Sequence, residues 1–370
     1  MMLSLSGLAA STLLVAGALG LSGCANLGYY WQSTRGHLEL MNAARPVQDL
    51  LGDATTPEPL KARLVLSQRI RSFATDTLKL PDNSSYRRYA DLQRSAVVWN
   101  VVAAPALSLT LNTWCFPVTG CIGYRGYFAE ADAQQEANAL RAQGLEASVY
   151  GVPAYSTLGW LNWAGGDPLL STFIHFPDGE LARLVFHELA HQVVYASGDT
   201  MFNESFATAV ERLGGERWLT EQAPPATRQA YETFNRRRQQ FRALTAATRR
   251  ALTAIYESKP PPAQTKQSWI ATQLIAKEAA LQRFRQDYAT LKSSWGGFAA
   301  YDGWVARANN ASFGAQAAYD DLVPGFLALF EDEGRDWPSF YAAVKALAAL
   351  PQAKRHAALK NADPSIDKPH

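Results

Sequence analysis

Apolar side chains recur at intervals of three and four residues over several stretches of the chain, which is the pattern of amphipathic helices. It predicts helices over residues 29–51, 57–78, 129–143, 178–197 and 202–213. Asp178 is a candidate N-cap for the fourth of these stretches. Gly144, Gly198 and the pair Gly214-Gly215 follow the last three and indicate where those helices end.

Strands are predicted where apolar and β-branched residues come in short runs. Residues 95–122 contain two such runs, one around Val97 to Val102 and one over 107–114. Residues 146–150 and 168–176 are further candidates. These runs are few and short, so they predict a small sheet in a protein that is mostly helical.

Two long helical patterns follow, over residues 226–258 and 264–292, and Pro260-Pro261-Pro262 separates them. Two helices of this length joined by a proline turn predict a long antiparallel helical hairpin. The first arm holds seven arginines but two acids, Glu232 and Glu257. A solvated helix face is the main interpretation of that charge, and contact with an anionic lipid or substrate is the alternative.

Composition favours a packed globular protein, since 48% of residues are apolar and 18% are charged. The formal net charge of +2 gives no field that would favour nucleic acid, and we expect no nucleic-acid partner. The predicted fold class is α+β and mostly α-helical. The expected organisation is a catalytic region over 24–222, the hairpin and C-terminal helices over 223–363, and a flexible tail over 364–370.

The first residues have the features of a targeting segment. Residues 3–21 are almost wholly apolar or small, and Leu21-Ser22-Gly23-Cys24 follows. This ending resembles a bacterial lipobox, which implies a lipoprotein signal peptide over 1–23 and lipidation of Cys24. The protein would then be a periplasm-facing lipoprotein of the bacterial cell envelope, held to a membrane by acyl chains. No Lys or Arg precedes the apolar run, so a plain membrane anchor or a cleaved secretory signal is the alternative.

Cys115 and Cys121 are the remaining cysteines. In an oxidising compartment they can close a short loop as a disulfide. Two buried free thiols are the alternative.

His187 and His191 are spaced four residues apart within the fourth predicted helix, with Glu188 beside the first. This spacing places both imidazoles on one face, one turn apart, where they can bind one Zn²⁺. Glu188 can reach a water molecule at the metal without being a ligand. The surrounding helix is apolar nearly all round, so unpaired polar groups would be costly there. Histidines bonded to backbone in the core are the alternative.

A catalytic zinc site needs a third protein ligand and keeps one open position. Glu204, in the segment Asn203-Glu204-Ser205-Phe206-Ala207, lies on the next predicted helix, which can return alongside the first. Glu211 follows two turns later on the same face. It is expected either to orient a histidine ligand or to form a surface salt bridge, and Asn203 is a further candidate for supporting the ligands.

The second motif resembles the Asn-Glu-x-x-Ala signature of the Glu-ligand zincins, a group that includes relatives of aminopeptidase N and thermolysin. The gap of twelve residues between His191 and Asn203 is shorter than in the aminopeptidase N relatives. Their Gly-Ala-Met-Glu-Asn substrate strand is absent from this sequence. The resemblance implies a zincin-like metallopeptidase core with one zinc ion.

A broader resemblance is to the predicted bacterial zinc aminopeptidases, a family of lipoproteins. Besides the zinc motif, it rests on the stretches 35–40, 124–128, 153–160, 167–172 and Asn309-Asn310-Ala311. It implies that the chain releases N-terminal residues from peptides.

In that mechanism Glu188 is the general base and a further donor stabilises the oxyanion. Tyr155 is the first candidate donor, and Tyr319 and Tyr301 follow, although a packed aromatic residue is the main interpretation of each. His175 is expected to be structural, and a role in a second site is the alternative.

Substrate binding has its own candidates. The segment 150–160 could pair as an edge strand with an extended peptide or lie in the core. An acid near the metal would bind a free amine, and Glu130, Asp132 and Asp167 are candidates. A peptide is therefore the expected substrate. The alternatives are an endopeptidase of the envelope and a non-catalytic assembly lipoprotein with a structural zinc.

Overall fold

The computed structural model describes residues 28–116, 120–154, 156–157, 165–262 and 264–362. Helices dominate this part of the chain. The helices are α1 (28–43), α2 (Val47–Gly52), α3 (Glu58–Asp76), α4 (Glu130–Ala142), α5 (Asp178–Ala190), α6 (Thr200–Gln222), α7 (Pro225–Glu257), α8 (Lys266–Ser294), α9 (Asp302–Arg307), α10 (Asn310–Asp320), α11 (Val323–Asp332), α12 (Trp337–Ala348) and α13 (Gln352–Ala362). The strands are β1 (Arg45–Pro46), β2 (Arg88–Ala90), β3 (Val98–Pro105), β4 (Trp114–Phe116), β5 (Gly120–Ile122), β6 (Arg125–Tyr127), β7 (Leu145–Val152) and β8 (Leu169–Leu170).

The main sheet has the order β6-β3-β7, with both pairs antiparallel. Alternate residues of β3 point to opposite faces. Val101 and Ala103 pack on α4, whereas Val102 and Ala104 pack on Ala311 of α10. The sheet is therefore a middle layer between two helices, and its α10 face is turned towards the cavity described below.

The structure corrects the predicted helix over 29–51. It breaks at Arg45–Pro46, which pair as β1 with β2. Proline has no backbone N–H to donate to a helix, and the preceding residue avoids helical dihedrals.

Two predicted strands differ from the structure: the one over 107–114 is largely absent, and the one over 168–176 is much shorter. Residues 107–113 have no strand, and the chain forms the short β4–β5 hairpin instead. Of the run 168–176, Leu169–Leu170 alone are extended, paired in parallel with β2. After them Phe173 and Ile174 both donate their N–H to Leu170 O. Both side chains are buried, so this part of the run fills the core as a turn rather than alternating as a strand.

Helices α5 and α6 lie side by side and hold most of the candidate site residues. The predicted helix over 178–197 ends earlier, at Ala190, with His191 as its C-cap in helical dihedrals. Asp178 is the first helical residue rather than the N-cap, and its carboxylate bonds to Arg63.

The predicted stop of α6 at Gly214-Gly215 is wrong, because the helix continues to Gln222. A Cβ at Gly214 would lie 2.6 Å from Leu78 Cδ1, and one at Gly215 would lie 2.6 Å from Arg183 Cγ. These glycines therefore allow close packing inside a helix and do not end it.

The hairpin of α7 and α8 lies where the sequence predicts it. Lys277 of α8 is buried, donates to Ala106 O at 2.9 Å and pairs with Glu146 of β7. Glu146 also accepts from Asn310 N at 2.8 Å. This polar network ties the hairpin to the sheet and to α10.

The main apolar core joins α3, α5 and α6 with α11 and α12. The C-terminal helices thus pack against the pair that holds the candidate site. Among the described residues, no helix is both long enough and apolar enough to cross a membrane.

Candidate metal centre

The packing of α5 on α6 brings together His187, His191 and Glu204. The two histidines are one helical turn apart at the end of α5, and Glu204 comes from α6. Their ligand atoms all lie within 4.8 Å of one another. The two Nε2 atoms are 3.2 Å apart. Glu204 Oε2 lies 3.3 Å from the Nε2 of His187 and 3.6 Å from that of His191. Three donor atoms therefore surround one point, and all three side chains are nearly buried.

This triangle has the size that a bound metal requires. Tetrahedral sites with bonds of about 2.0–2.1 Å to nitrogen and oxygen have neighbouring ligand atoms about 3.3 Å apart. The three observed separations lie close to that length. Two imidazoles and one carboxylate leave a fourth position open, as in catalytic rather than structural sites. The residues therefore fit a metal ion.

Glu211 determines the tautomer of His187. Its Oε2 lies 3.1 Å from His187 Nδ1. A carboxylate only accepts, so Nδ1 carries the proton; whenever the ring is neutral, the lone pair is on Nε2, which faces His191 and Glu204. Burial opposes the ionisation of Glu211, but Arg183 and His187 outweigh it and hold its pKa well below the usual range. Glu211 therefore remains a carboxylate.

Arg183 connects this carboxylate to the hairpin. It is buried, pairs with Glu211 and donates to the Tyr231 hydroxyl at 3.0 Å. Arg238 of α7 binds Glu180, one turn before Arg183, through two bonds of 2.7 and 2.8 Å. The hairpin thus contacts the side of α5 that holds Arg183 and Glu180, next to the candidate ligands.

Glu204 is ionised despite being enclosed. Burial raises its pKa, but the facing His191 and His187 outweigh that effect and lower it to about 2. A carboxylate kept negative beside two imidazole nitrogens is suited to a cation at their centre.

Glu188 lines the same cavity without belonging to the ligand triangle. Burial raises the pKa of Glu188 above its usual value, although the nearby His187 and His191 act in the opposite direction. A carboxylate whose pKa lies above its usual value is a stronger base, which suits the role of a general base. The arrangement provides a base next to a metal position.

The loop between the two helices is held from several sides. Gly198 adopts a φ of +77°, which only glycine adopts readily. Asp199 caps α6 by accepting from Phe202 N at 3.1 Å and also binds His356 of α13 at 2.9 Å. Asn203 bonds to both the N–H and the carbonyl of Ala196. Asn203 therefore fixes the loop and does not touch a histidine ligand.

A cavity of about 740 Å³ opens on this triad. Tyr319 of α10 lines it, and its ring lies 6.3 Å from that of His187, nearly parallel. Burial, followed by the charge of Glu204, raises the pKa of Tyr319 well above its usual value, so its hydroxyl keeps its proton. Tyr124 and Tyr195 also line the cavity and have raised pKa values, chiefly from burial.

Several of these residues were missed by the sequence interpretation. Arg183, Tyr124 and Tyr195 carried no spacing signal. Two of them had a weaker signal: Arg183 is a charged residue in a largely apolar part of its helix, and Tyr124 begins the stretch 124–128 on which the family resemblance partly rests.

The other candidate residues lie in different places. Tyr301 is in the apolar cluster of the hairpin, and His175 is exposed in the turn after β8. Glu130 and Asp132 are exposed on α4. Asp167 is buried, binds the N–H of Thr157 at 3.0 Å, and has its pKa raised to about 6 by burial.

Three predictions concern other parts of the chain. Cys115 and Cys121 form a disulfide across the β4–β5 hairpin. Tyr150 to Val152 end β7, an edge strand of the main sheet. Tyr155 and Cys24 lie outside the described residues, as do 158–164.

Residues 28–359 of the chain match a protein family described as "Putative aminopeptidase". No curated protein and no solved structure matches the chain.

Proposed function

Since the chain belongs to the putative aminopeptidase family, we propose that it is a zinc-dependent aminopeptidase. Family membership supports peptidase activity. The metal and the mechanism are inferred from the site. The observation that carries the proposal is the triangle of His187, His191 and Glu204, with Glu188 beside it in the same cavity.

The donor set favours zinc, since two imidazoles and one carboxylate with an open fourth position is the ligand set of several zinc peptidases. Such an ion would supply Lewis acidity, activating a water molecule and polarising the scissile carbonyl. Glu211 keeps the His187 lone pair directed at the site, and Arg183 keeps Glu211 ionised.

Glu188 is the proposed general base. Its carboxylate takes a proton from the attacking water and gives it to the leaving nitrogen. Its raised pKa supports both halves of this transfer.

Tyr319 is the proposed oxyanion donor. Its protonated hydroxyl lies on a ring beside that of His187 in the wall of the cavity. A fixed donor in an enclosed site stabilises developing negative charge more than one in water does.

Aminopeptidase rather than endopeptidase action rests on the family. Helices α7 and α10 contribute Arg238, Arg242 and Tyr319 to the wall of the cavity.

The test uses purified protein and matched peptides with a free or an acetylated amino terminus. We expect about one zinc per chain by elemental analysis and hydrolysis of the free-amine peptides alone. Glu188→Gln should keep the zinc and lose about 10²–10⁴-fold in kcat. Cleavage of the acetylated peptides alone would instead establish an endopeptidase. A folded protein with neither zinc nor hydrolysis would exclude the proposal.

We also propose that Cys24 is lipidated and holds the protein to the periplasm-facing side of a bacterial membrane. The lipobox-like sequence supports this. Fractionation of cells that express Cys24→Ser checks it. The variant should move from the membrane fraction to the soluble fraction, and its retention in the membrane would exclude the lipid anchor.

A further inference from the structure

A second cavity, of about 1080 Å³, adjoins the metal cavity. Arg238, Arg242 and Tyr319 line both. The edge strand β7 forms one side of it, and α7, α9 and α10 contribute the others. A substrate held at the metal can therefore extend into it past Tyr319.

The charged groups of this cavity are mostly cationic. Its lining includes Arg141, Arg238, Arg242 and Arg307 but a single acid, Glu130. The metal cavity, by contrast, is lined by Glu180, Glu188, Glu204 and Glu211 as well as by arginines.

Two of the four arginines have no carboxylate partner among the described residues, and a third shares its carboxylate with another arginine. Arg141 donates to two neutral oxygens, Asn138 Oδ1 and Ala147 O, at 2.8 and 2.9 Å. Arg307 is exposed and has no hydrogen bond or ion pair within the described part of the chain.

Arg242 is the third. It approaches Asp320 Oδ1 at 2.9 Å, but Arg212 binds the same oxygen at 2.7 Å. One carboxylate thus serves two guanidinium groups. Arg238 differs, since Glu180 takes both of its terminal nitrogens.

The rest of the lining strengthens the effect of these charges. Trp99, Phe241, Tyr301 and Trp304 form much of the wall. Apolar walls reduce the local dielectric, so a cavity lined by one sign of charge attracts the opposite charge more strongly.

We infer that this second cavity binds a carboxylate of the peptide substrate, with Arg242 and Arg307 as its specificity-determining residues. The inference rests on the proposed function, because it assumes that a peptide occupies the metal cavity. Guanidinium groups bind carboxylates with short, charge-assisted hydrogen bonds. The carboxylate could be the free C-terminus of a short peptide or the side chain of Asp or Glu.

The test measures binding separately from hydrolysis. The full chain with Glu188→Gln is titrated with two matched pairs of peptides by calorimetry. One pair is Leu-Ala-Ala with a free or an amidated C-terminus, and the other is the amides of Leu-Glu-Ala and Leu-Gln-Ala. We expect the acidic member of at least one pair to bind about tenfold more tightly, since charged hydrogen bonds have about that effect at partly exposed sites.

The pair that shows the preference identifies the source of the carboxylate. Arg307→Gln and Arg242→Gln, each in the Glu188→Gln background, should reduce that preference to about twofold or less and leave the neutral member unchanged. Arg249→Gln is the matched control. It lies two turns further along α7, pairs with Asp321 and lines a different cavity, so the preference should remain.

Equal binding within both pairs, or no binding of any of the four peptides, would overturn the inference. The two proposals fail in different ways. Hydrolysis of all four peptides by the wild-type chain at equal kcat/KM would overturn the carboxylate cavity and keep the peptidase. A preference in binding without hydrolysis by the wild-type chain would overturn the peptidase and keep the carboxylate cavity.

Discussion

At the scale of single residues, Glu211 shows how a carboxylate outside the candidate ligand set acts on one of its histidines. One of its oxygens faces His187 Nδ1 and the other pairs with Arg183. The first contact selects the tautomer that leaves Nε2 free, and the second keeps the group ionised. Metal affinity should therefore depend on a residue that does not touch the metal.

Glu211→Gln should weaken zinc binding about 10–100-fold, because the amide can present its N–H₂ to Nδ1 and no longer selects one tautomer. Competition with a chromophoric chelator measures this affinity. Glu216→Gln, an exposed change on the same helix, is the control and should bind zinc like the wild type. Equal affinities in the two variants would contradict the role assigned to Glu211.

Tyr319→Phe should lower kcat about 10²-fold with little change in KM, since it removes a donor that acts on the transition state. Steady-state kinetics on a free-amine peptide gives both constants. Zinc content should remain at one per chain. Tyr195→Phe tests another tyrosine of the same cavity, and a larger loss of kcat there would move the donor role to Tyr195.

The candidate site could be predicted from sequence only in part, and the division falls between local and distant contacts. His187, Glu188 and His191 follow from one helical repeat. Arg183 and Tyr319 do not, because their importance comes from contacts with residues 28 or more positions away. No local periodicity records such contacts.

At the scale of secondary-structure elements, the closeness of α5 to α6 depends on small residues. Gly215 lies against the aliphatic part of Arg183, whose guanidinium is fixed by Glu211 and Tyr231. Arg183 therefore has little freedom to move away. The sequence interpretation took this glycine as a stop signal because a helix end is the commoner use of glycine.

Gly215→Ala should destabilise the protein by about 1–3 kcal/mol, even though alanine has the better helix propensity, because the added methyl group overpacks a fixed neighbour. Urea unfolding measures the change. Gly52→Ala is the control, since a Cβ there would meet nothing within 4 Å. If Gly215→Ala were as stable as this control, the α5–α6 contact would not be as tight as described.

The wrongly predicted strand over 168–176 likewise comes from a tertiary contact that the local pattern does not record. Phe173 and Ile174 are apolar neighbours that form a turn rather than a strand, since both side chains fit into the core. The hairpin was predictable, because two amphipathic helices of about thirty residues separated by three prolines have few alternatives.

At the scale of the whole molecule, the candidate metal ligands link parts that are distant in the chain. His187 and His191 belong to α5 and Glu204 to α6, while α13 holds the connecting loop through His356 and Asp199. The main core joins these helices to α11 and α12. A bound metal would therefore stabilise the native arrangement of several elements.

Metal removal should lower the Tm. An ion that binds only the folded chain contributes about 4 kcal/mol when its free concentration is 1,000-fold above Kd. Differential scanning fluorimetry with and without a chelator measures the shift, and added zinc should reverse it. His191→Ala should show no response to the chelator. An unchanged Tm in the wild type would mean that the triad binds no metal under those conditions.

The sequence by itself determined what depends on neighbours along the chain. The helical face that holds His187, Glu188 and His191, the position of the hairpin and the predominance of helix all follow from spacings of a few residues. The sequence also named Glu204 and Glu211 as candidates, but their contacts with the histidines were decided by the packing of α6 on α5. The tertiary structure likewise decided that Tyr319 lies at the cavity and that Arg242 and Arg307 line a second cavity. These contacts depend on how helices pack, and packing depends on side-chain shape and burial across the whole molecule, which no short repeat encodes.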